Sequence, residues 1–214
     1  MTQRYNTVPK GIPEILHLDD DIIVINKPPG LLSVPGRYLK DSAVTRLQER
    51  YGETLVIHRL DQDTSGILVF ARHKAALNTV QRQFEAQTTR KIYEALVLGE
   101  IPANQGCINL PIIVDWPNRP LQKISHTEGR YALTRWQKLA IESGNTRVAL
   151  FPKTGRSHQL RLHMQQIGHP IKGDTLYAGP EAGQEPRLCL HARELDFDHP
   201  HTGERMAFVV RPDF

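Results

Sequence analysis

Cysteine is scarce. Only two occur in 214 residues, Cys107 and Cys189, and neither lies in a Cys-x-x-Cys pair. That argues against a disulfide scaffold and against a thiolate zinc site. Each sits in an apolar alternating stretch, CINL and LCLH, where a buried structural thiol is expected. Long apolar runs are lacking as well: IIVI at 22–25 and ILVFA at 67–71 are far too short to cross a bilayer. The first residues, MTQRYNTVPKG, have no apolar segment of the secretory kind, so the expectation is a soluble, cytoplasmic protein. Repeats, low-complexity tracts and Ser/Gly linkers are absent, and no shift in composition marks a boundary. The expected organisation is a loose polar arm over 1–13 and a single domain over 14–214.

What is present is enough for a full core. Hydrophobic residues make up 39% and charged residues 23%, a globular balance at a length that needs no staples. The net charge is +4 and the sequence pI near 9.1. That suits a polyanionic partner, although many soluble enzymes are equally basic. The basic residues cluster near the motifs below: Arg59, Arg72 and Lys74, Arg90 and Lys91, Arg119 and Lys123, Arg156 and Arg161.

Strand patterns recur at EILHL, IIVINK, 54–57, 66–72, 92–99, 107–114, 123–127, 131–139, 146–151, RLCLHARELDF and MAFVV. Helical spacing predicts helices over 41–51, capped by Asp41 or Ser42, over 74–87, and over 157–167 with Gly168 as its stop. Strands often follow one another with no helix between them. The expected fold class is therefore α+β, a mixed, largely antiparallel sheet with flanking helices, not a doubly wound parallel sheet.

The stretch HRLDQDTSG, His58–Gly66, joins two predicted strands. A loop held by a rigid sheet is a usual place for catalytic groups. In an extended chain Arg59 and Asp61 point the same way, and an arginine nearby favours an ionised aspartate, which suits a nucleophile. The plainer reading is a tight turn in which an aspartate caps amides. Asp63-Thr64-Ser65-Gly66 differs by one position from the aspartic-protease signature and occurs once, while those enzymes need two carboxylates sharing a proton. TGRSHQLRLH, 154–163, offers a helix start for phosphate, or a basic solvated face over a Leu160/Met164/Ile167 stripe. His158 and His163 are spaced i, i+5 and do not share a helical face as zinc-binding i, i+4 histidines do, so no metal is expected. KIYEALVLG places Tyr93 near a strand start, where a tyrosine is either core or a stacking platform. DWPNRPLQK, 115–123, is a basic loop that either touches RNA or tucks Trp116 onto the core.

Taken together and in this order, these segments closely resemble the RluA family of RNA pseudouridine synthases. HRLDQDTSGILV looks like the family's catalytic motif, KIYEALVLG like its Lys-x-Tyr strand, and FPKTGRSHQLRLHMQQIGHPIKGDTLY like its third signature region. The resemblance runs from about residue 15 to the end. LLSVPGR, DWPNRPLQK and the short length look most like the family's short type, whose members modify a tRNA anticodon loop and 23S ribosomal RNA. The length leaves no room for the S4-like RNA-binding domain of many relatives. The resemblance implies Asp61 as the nucleophile, Arg59 filling the gap left by a flipped uridine, and Tyr93 stacking on the uracil. It implies Arg161 pairing with Asp61 and Leu160 packing on the base, with Arg156 serving RNA or local structure and no catalytic role for Asp63.

The implied reaction is an isomerisation, so no cofactor is expected. The implied partners are tRNA and 23S ribosomal RNA stem-loops, with no membrane, no obligatory protein partner and a monomer sufficing. Flipping a base costs a few kcal/mol, and basic residues that bind phosphates make affinity salt-dependent. A catalytically silent RNA-binding relative would be expected to have lost one of Asp61, Tyr93 and Arg161. A hydrolase using Asp61 with a histidine lacks a convincing triad.

Overall fold

Two runs that are apolar at nearly every position, Ile22–Ile25 and Ile67–Ala71, are buried throughout and lie on adjacent strands. The computed structural model describes residues 10–179 and 185–214, so most of the expected arm over 1–13 lies outside the described residues. In chain order the elements are β1 (Glu14–Leu18), β2 (Ile22–Lys27), α1 (Ala43–Tyr51), β3 (Leu55–Val56), β4 (Ser65–Ala71) and α2 (Lys74–Ala86). Then come β5 (Arg90–Val97), β6 (Gln105–Asn109), β7 (Ile112–Val114), a 3-10 turn at Trp116–Asn118, β8 (Gln122–Ile124), β9 (Leu133–Glu142) and β10 (Asn145–Pro152). The chain closes with α3 (Gln159–Gln166), β11 (Leu190–Asp198) and β12 (Arg205–Val209). It divides into two compact units, one up to Lys91 with His191–Asp213, the other Ile92–Leu190 with Phe214.

In the first unit β2 lies antiparallel between β1 and β4, β3 also pairs with β4, and β12 pairs antiparallel with β11. The parallel contact is β4 against β11, with Ser65 opposite His191 and Gly66 opposite Ala192. Helix α1 starts on a capping box: the Ser42 hydroxyl accepts from the Thr45 amide, and the Thr45 hydroxyl accepts from the Ser42 amide. Of the two expected caps Ser42 is the one used, while Asp41 instead binds Arg46 through both carboxylate oxygens. Helix α2 turns Ala76 and Val80, with Leu77 and Phe84, onto an apolar cluster that includes Ile22, Val24, Ile67, Val69 and Phe197.

In the second unit β5, β10, β9 and β6 pair in that order, all antiparallel, and β7 and β8 form a separate hairpin. Helix α3 contributes Leu160 and Met164 to a cluster with Ala95, Val97, Val148 and Leu150. Its polar residues are buried too. Gln159 donates to the Leu133 carbonyl and the Thr134 hydroxyl, and His163 lies 2.9 Å from that hydroxyl and 3.0 Å from the Leu110 carbonyl. A solvated basic helix face is thus excluded, because the satisfied side chains are turned inward.

The architecture is the α+β arrangement expected: a mixed sheet, with β4 parallel to β11 and many antiparallel pairs, and three α-helices among the described residues. Two local expectations are corrected. The strand expected over 107–114 is two strands, broken at Leu110-Pro111, since proline has no amide for a ladder. Cys107 is exposed while Cys189 is buried, because β6 alternates outward and inward and Ile108 takes the inward position. Burial, with help from Glu185, pushes the Cys189 thiol up to about 11, which leaves it inert.

Gly66 is where the two strands approach most closely. Its φ is +110°, and a Cβ there would lie 2.3 Å from the Ala192 carbonyl oxygen. We expect Gly66→Ala to cost at least about 2 kcal/mol, combining backbone strain with a clash against immobile backbone. Thermal unfolding should therefore begin roughly 4–8 °C lower. An unchanged midpoint would show that β4 and β11 can separate at no cost.

Candidate active site

The loop carrying Asp61 is fixed by the segment that follows β2. Lys27 ends that strand with no exposure to solvent. Its ammonium donates to the carbonyls of Pro28 (2.9 Å), Leu31 (2.8 Å) and Gln62 (3.0 Å). The Gly30 amide donates to the same Gln62 carbonyl at 2.9 Å, and the Gln62 side chain returns a bond to the Gly30 carbonyl. On the other side of Asp61, the Ser33 hydroxyl donates to the Leu60 carbonyl at 2.7 Å and accepts from the Leu60 amide at 3.1 Å. Both peptide neighbours of Asp61 are therefore held by Lys27–Ser33. A bond from the Thr64 amide to the Asp61 carbonyl closes the turn.

Beyond the turn, Ser65 lies 2.8 Å from His191 Nδ1, and His191 Nε2 lies 3.1 Å from the Val210 carbonyl. A carbonyl only accepts, so Nε2 carries the proton and Nδ1 accepts from the serine hydroxyl. The motif thus divides by task. Thr64 closes the turn, Ser65 and Gly66 fasten it to β11, Leu60 is buried, Arg59 is exposed, and Asp61 and Asp63 are half-buried.

His58 is not the acid or base its position suggests. It stacks on Phe84, ring centroids 4.6 Å apart, and its Nε2 accepts from the Val69 amide. Burial, then the nearby Lys91 charge, pushes its pKa down to about 3.

The other expected residues belong to the second unit. Tyr93 is half-buried in β5, opposite Leu150, and packs on the same apolar cluster as Leu160. Arg161 follows Leu160 on α3, is 3% exposed, and has a buried acid as partner: Asp174 accepts from its Nε and its Nη2, each at 2.7 Å. Arg156 is half-buried and its Nε donates to the Tyr131 carbonyl. Burial, then the Arg130 charge, lowers its pKa. The Arg156 amide donates to the Gln159 side chain, while the helix N-cap, His158, makes no side-chain cap bond. Trp116 is 63% exposed, with the Arg119 guanidinium 3.5 Å from its ring centroid, and so is not tucked onto the core.

Among the described residues one group has ligand spacing for a metal: His17, Asp19 and His199. Its hydrogen bonds define a different role. His199 Nδ1 accepts from the amides of His201 and Thr202, so its proton sits on Nε2 and points at Asp19, 3.0 Å away. Asp19 also binds His17 and accepts from the amides of Asp21 and Ile22. Burial acts to raise the Asp19 pKa, but these donors outweigh it and hold the carboxyl well below its usual range. The trio is a bracket between the β1–β2 turn and the turn after β11.

Sequence reasoning missed Lys27, Ser33, Asp174, Tyr177 and His191. The one available signal was a lysine closing a continuous apolar strand, where a charge must find partners.

Likeness to known proteins defines first a class. The human RNA pseudouridylate synthase domain containing 1 superposes with a TM-score of 0.80 at 26% identity, covering 97% of this chain and 87% of that one. The human RNA pseudouridylate synthase domain containing 4 gives 0.75 at 27% identity, covering 94% and 89%. The family model for RNA pseudouridylate synthases matches residues 21–166, and the chain belongs to this family of isomerases. Within it, the dual-specificity RNA pseudouridine synthase RluA of Pasteurella multocida is 52% identical over 205 residues, 94% of each chain. The protein of the same name from Escherichia coli K12 is 47% identical over 216 residues, 99% of each.

Two outcomes are expected from this geometry. Lys27→Met leaves buried carbonyls without a donor, so it should cost about 3 kcal/mol or more; denaturant unfolding measures this. For His58 the folded pKa lies below the unfolded one. The unfolded chain then takes up a proton that the folded chain refuses, and stability falls as pH drops from about 6.5 toward about 3. The His58 imidazole should show no NMR titration between about pH 5 and 8; a midpoint in that window would contradict the burial argument.

Proposed function

We propose that this protein converts uridine to pseudouridine in stem-loops of both a tRNA anticodon arm and 23S ribosomal RNA. It does so in the cytoplasm, as a monomer and without a cofactor. The observation that carries this reading is the 52% and 47% identity, over 94% and 99% of the chain, to proteins named dual-specificity synthases. The net charge of +4 suits an RNA partner.

The reaction conserves atoms. The N1–C1′ bond breaks, the uracil turns while held, and a C5–C1′ bond forms, with C5 losing a proton and N1 gaining one. Asp61 is the essential carboxylate, acting on the sugar or the base. Its fixed backbone supports this, since a reacting group gains from being held in place before substrate arrives. Arg59, exposed on the same loop, fills the space left by the flipped uridine. Tyr93 and Leu160, which share an apolar cluster, supply the ring and aliphatic surface for the detached base. Arg161 is the cation of the chemistry, and Arg156 binds RNA.

Asp61→Asn should abolish pseudouridine formation in an anticodon stem-loop transcript while RNA binding persists. Asp63→Asn should keep most of the activity. Equal losses in the two variants would mean that the roles of the aspartates are wrongly divided, and turnover in Asp61→Asn would remove the assignment.

A further inference from the structure

We propose that Asp174 is a positioning residue for this reaction: it fixes the plane and the presented edge of the Arg161 guanidinium. The proposal rests on Arg161 having the role given above.

Asp174 has no exposure to solvent and Arg161 is 3% exposed, so neither charge is answered by water. The carboxylate takes the Nε and Nη2 edge of the guanidinium at 2.7 Å on each side. Such a fork fixes the plane as well as the distance. It leaves the Nη1 edge to serve other acceptors.

Asp174 is itself fixed by the backbone. Its Oδ1 accepts from the amides of Leu176 (2.9 Å) and Tyr177 (3.1 Å). The preceding Gly173 has φ +78°, and a Cβ there would lie 1.9 Å from the Arg187 carbonyl oxygen, so the bend that delivers Asp174 requires glycine. The face of the guanidinium is held as well, with the Tyr177 ring centroid 5.4 Å from its carbon. The Tyr177 hydroxyl accepts from the Gln122 amide and lies 2.9 Å from His158 Nδ1.

A buried ion pair is a weak source of stability, because apolar residues of equal volume often serve as well. What a clamp on edge and face does supply is orientation. A guanidinium displaced by about 1 Å can lower a rate about 100-fold with little effect on binding.

The test uses the full chain and an anticodon stem-loop transcript, with tritium release from C5 as the readout. Asp174→Asn should lower kcat about 100-fold at unchanged KM for RNA. Asp174→Glu keeps the charge and moves it by one methylene; it should retain a cooperative melt and still lose about tenfold in kcat. The double variant Arg161→Lys with Asp174→Asn should be no slower than Arg161→Lys alone, because Asp174 acts only through Arg161. The proposal is overturned if Asp174→Asn turns over within about twofold of wild type while Arg161→Lys is impaired, if the loss falls on KM, or if the losses add. Failure of both Asp174 variants to fold would place the residue in the fold alone and also overturn it. Wild-type turnover in Arg161→Lys would instead remove the role of Arg161 itself.

Discussion

An ammonium group with no access to water has to be surrounded by oxygen, and Lys27 meets that need with main-chain carbonyls. The solution dictates local structure. Pro28, Gly30 and Leu31 must curl around the side chain. The Gln62 carbonyl must also come to the same point, which fixes the chain one residue beyond Asp61. Ser33 then completes the hold by bonding both polar groups of Leu60. The buried cation thus brings together a turn and a loop far apart in sequence, and the loop carrying Asp61 is held in shape by it.

This explains what could be read from sequence and what could not. Elements were legible because their signals are local. The capping residue Ser42, the apolar stripe of α2, the continuous runs of β2 and β4 and the three helices all follow from neighbours within a turn or a strand. The boundary at Pro111 was legible in principle, since proline cannot join the ladder, yet the apolar run on both sides masked it. The candidate residues were legible as a constellation in order along the chain. Their supports were not, because they act across long sequence separations: Lys27 to Gln62, Ser33 to Leu60, Ser65 to His191 and Arg161 to Asp174. KPPGLLSVPG looked like a turn because Pro and Gly punctuate it. Its task of bracketing a distant aspartate leaves no local signature.

Both units solve the same problem with different chemistry. In the first, a buried lysine is answered by neutral carbonyls, which suits a compact point charge with three rotatable donors. In the second, a buried arginine is answered by a carboxylate in a two-point fork. A lysine can hold backbone but cannot present a defined edge, whereas an arginine clamped on one edge can. The lysine therefore holds the loop, and the fork fixes the plane of the arginine.

The treatment of the histidines bears on how protons move. His58 adjoins Arg59 in the motif, yet burial and Lys91 keep it neutral and its Nε2 accepts from backbone. His191, the second residue of β11 and directly opposite Ser65, uses both ring nitrogens in fixed bonds. In the second unit His158 and His163 likewise have at least one ring nitrogen engaged by the fold. His58 and His191 thus fasten the motif through fixed bonds. The isomerisation needs one proton removed from C5 and one delivered to N1, so it is neutral overall but still needs a group that takes the first proton. Around Asp61 the polar groups of Lys27, Ser33, Thr64, Ser65 and His191 are engaged in fixed bonds that set the geometry of the loop.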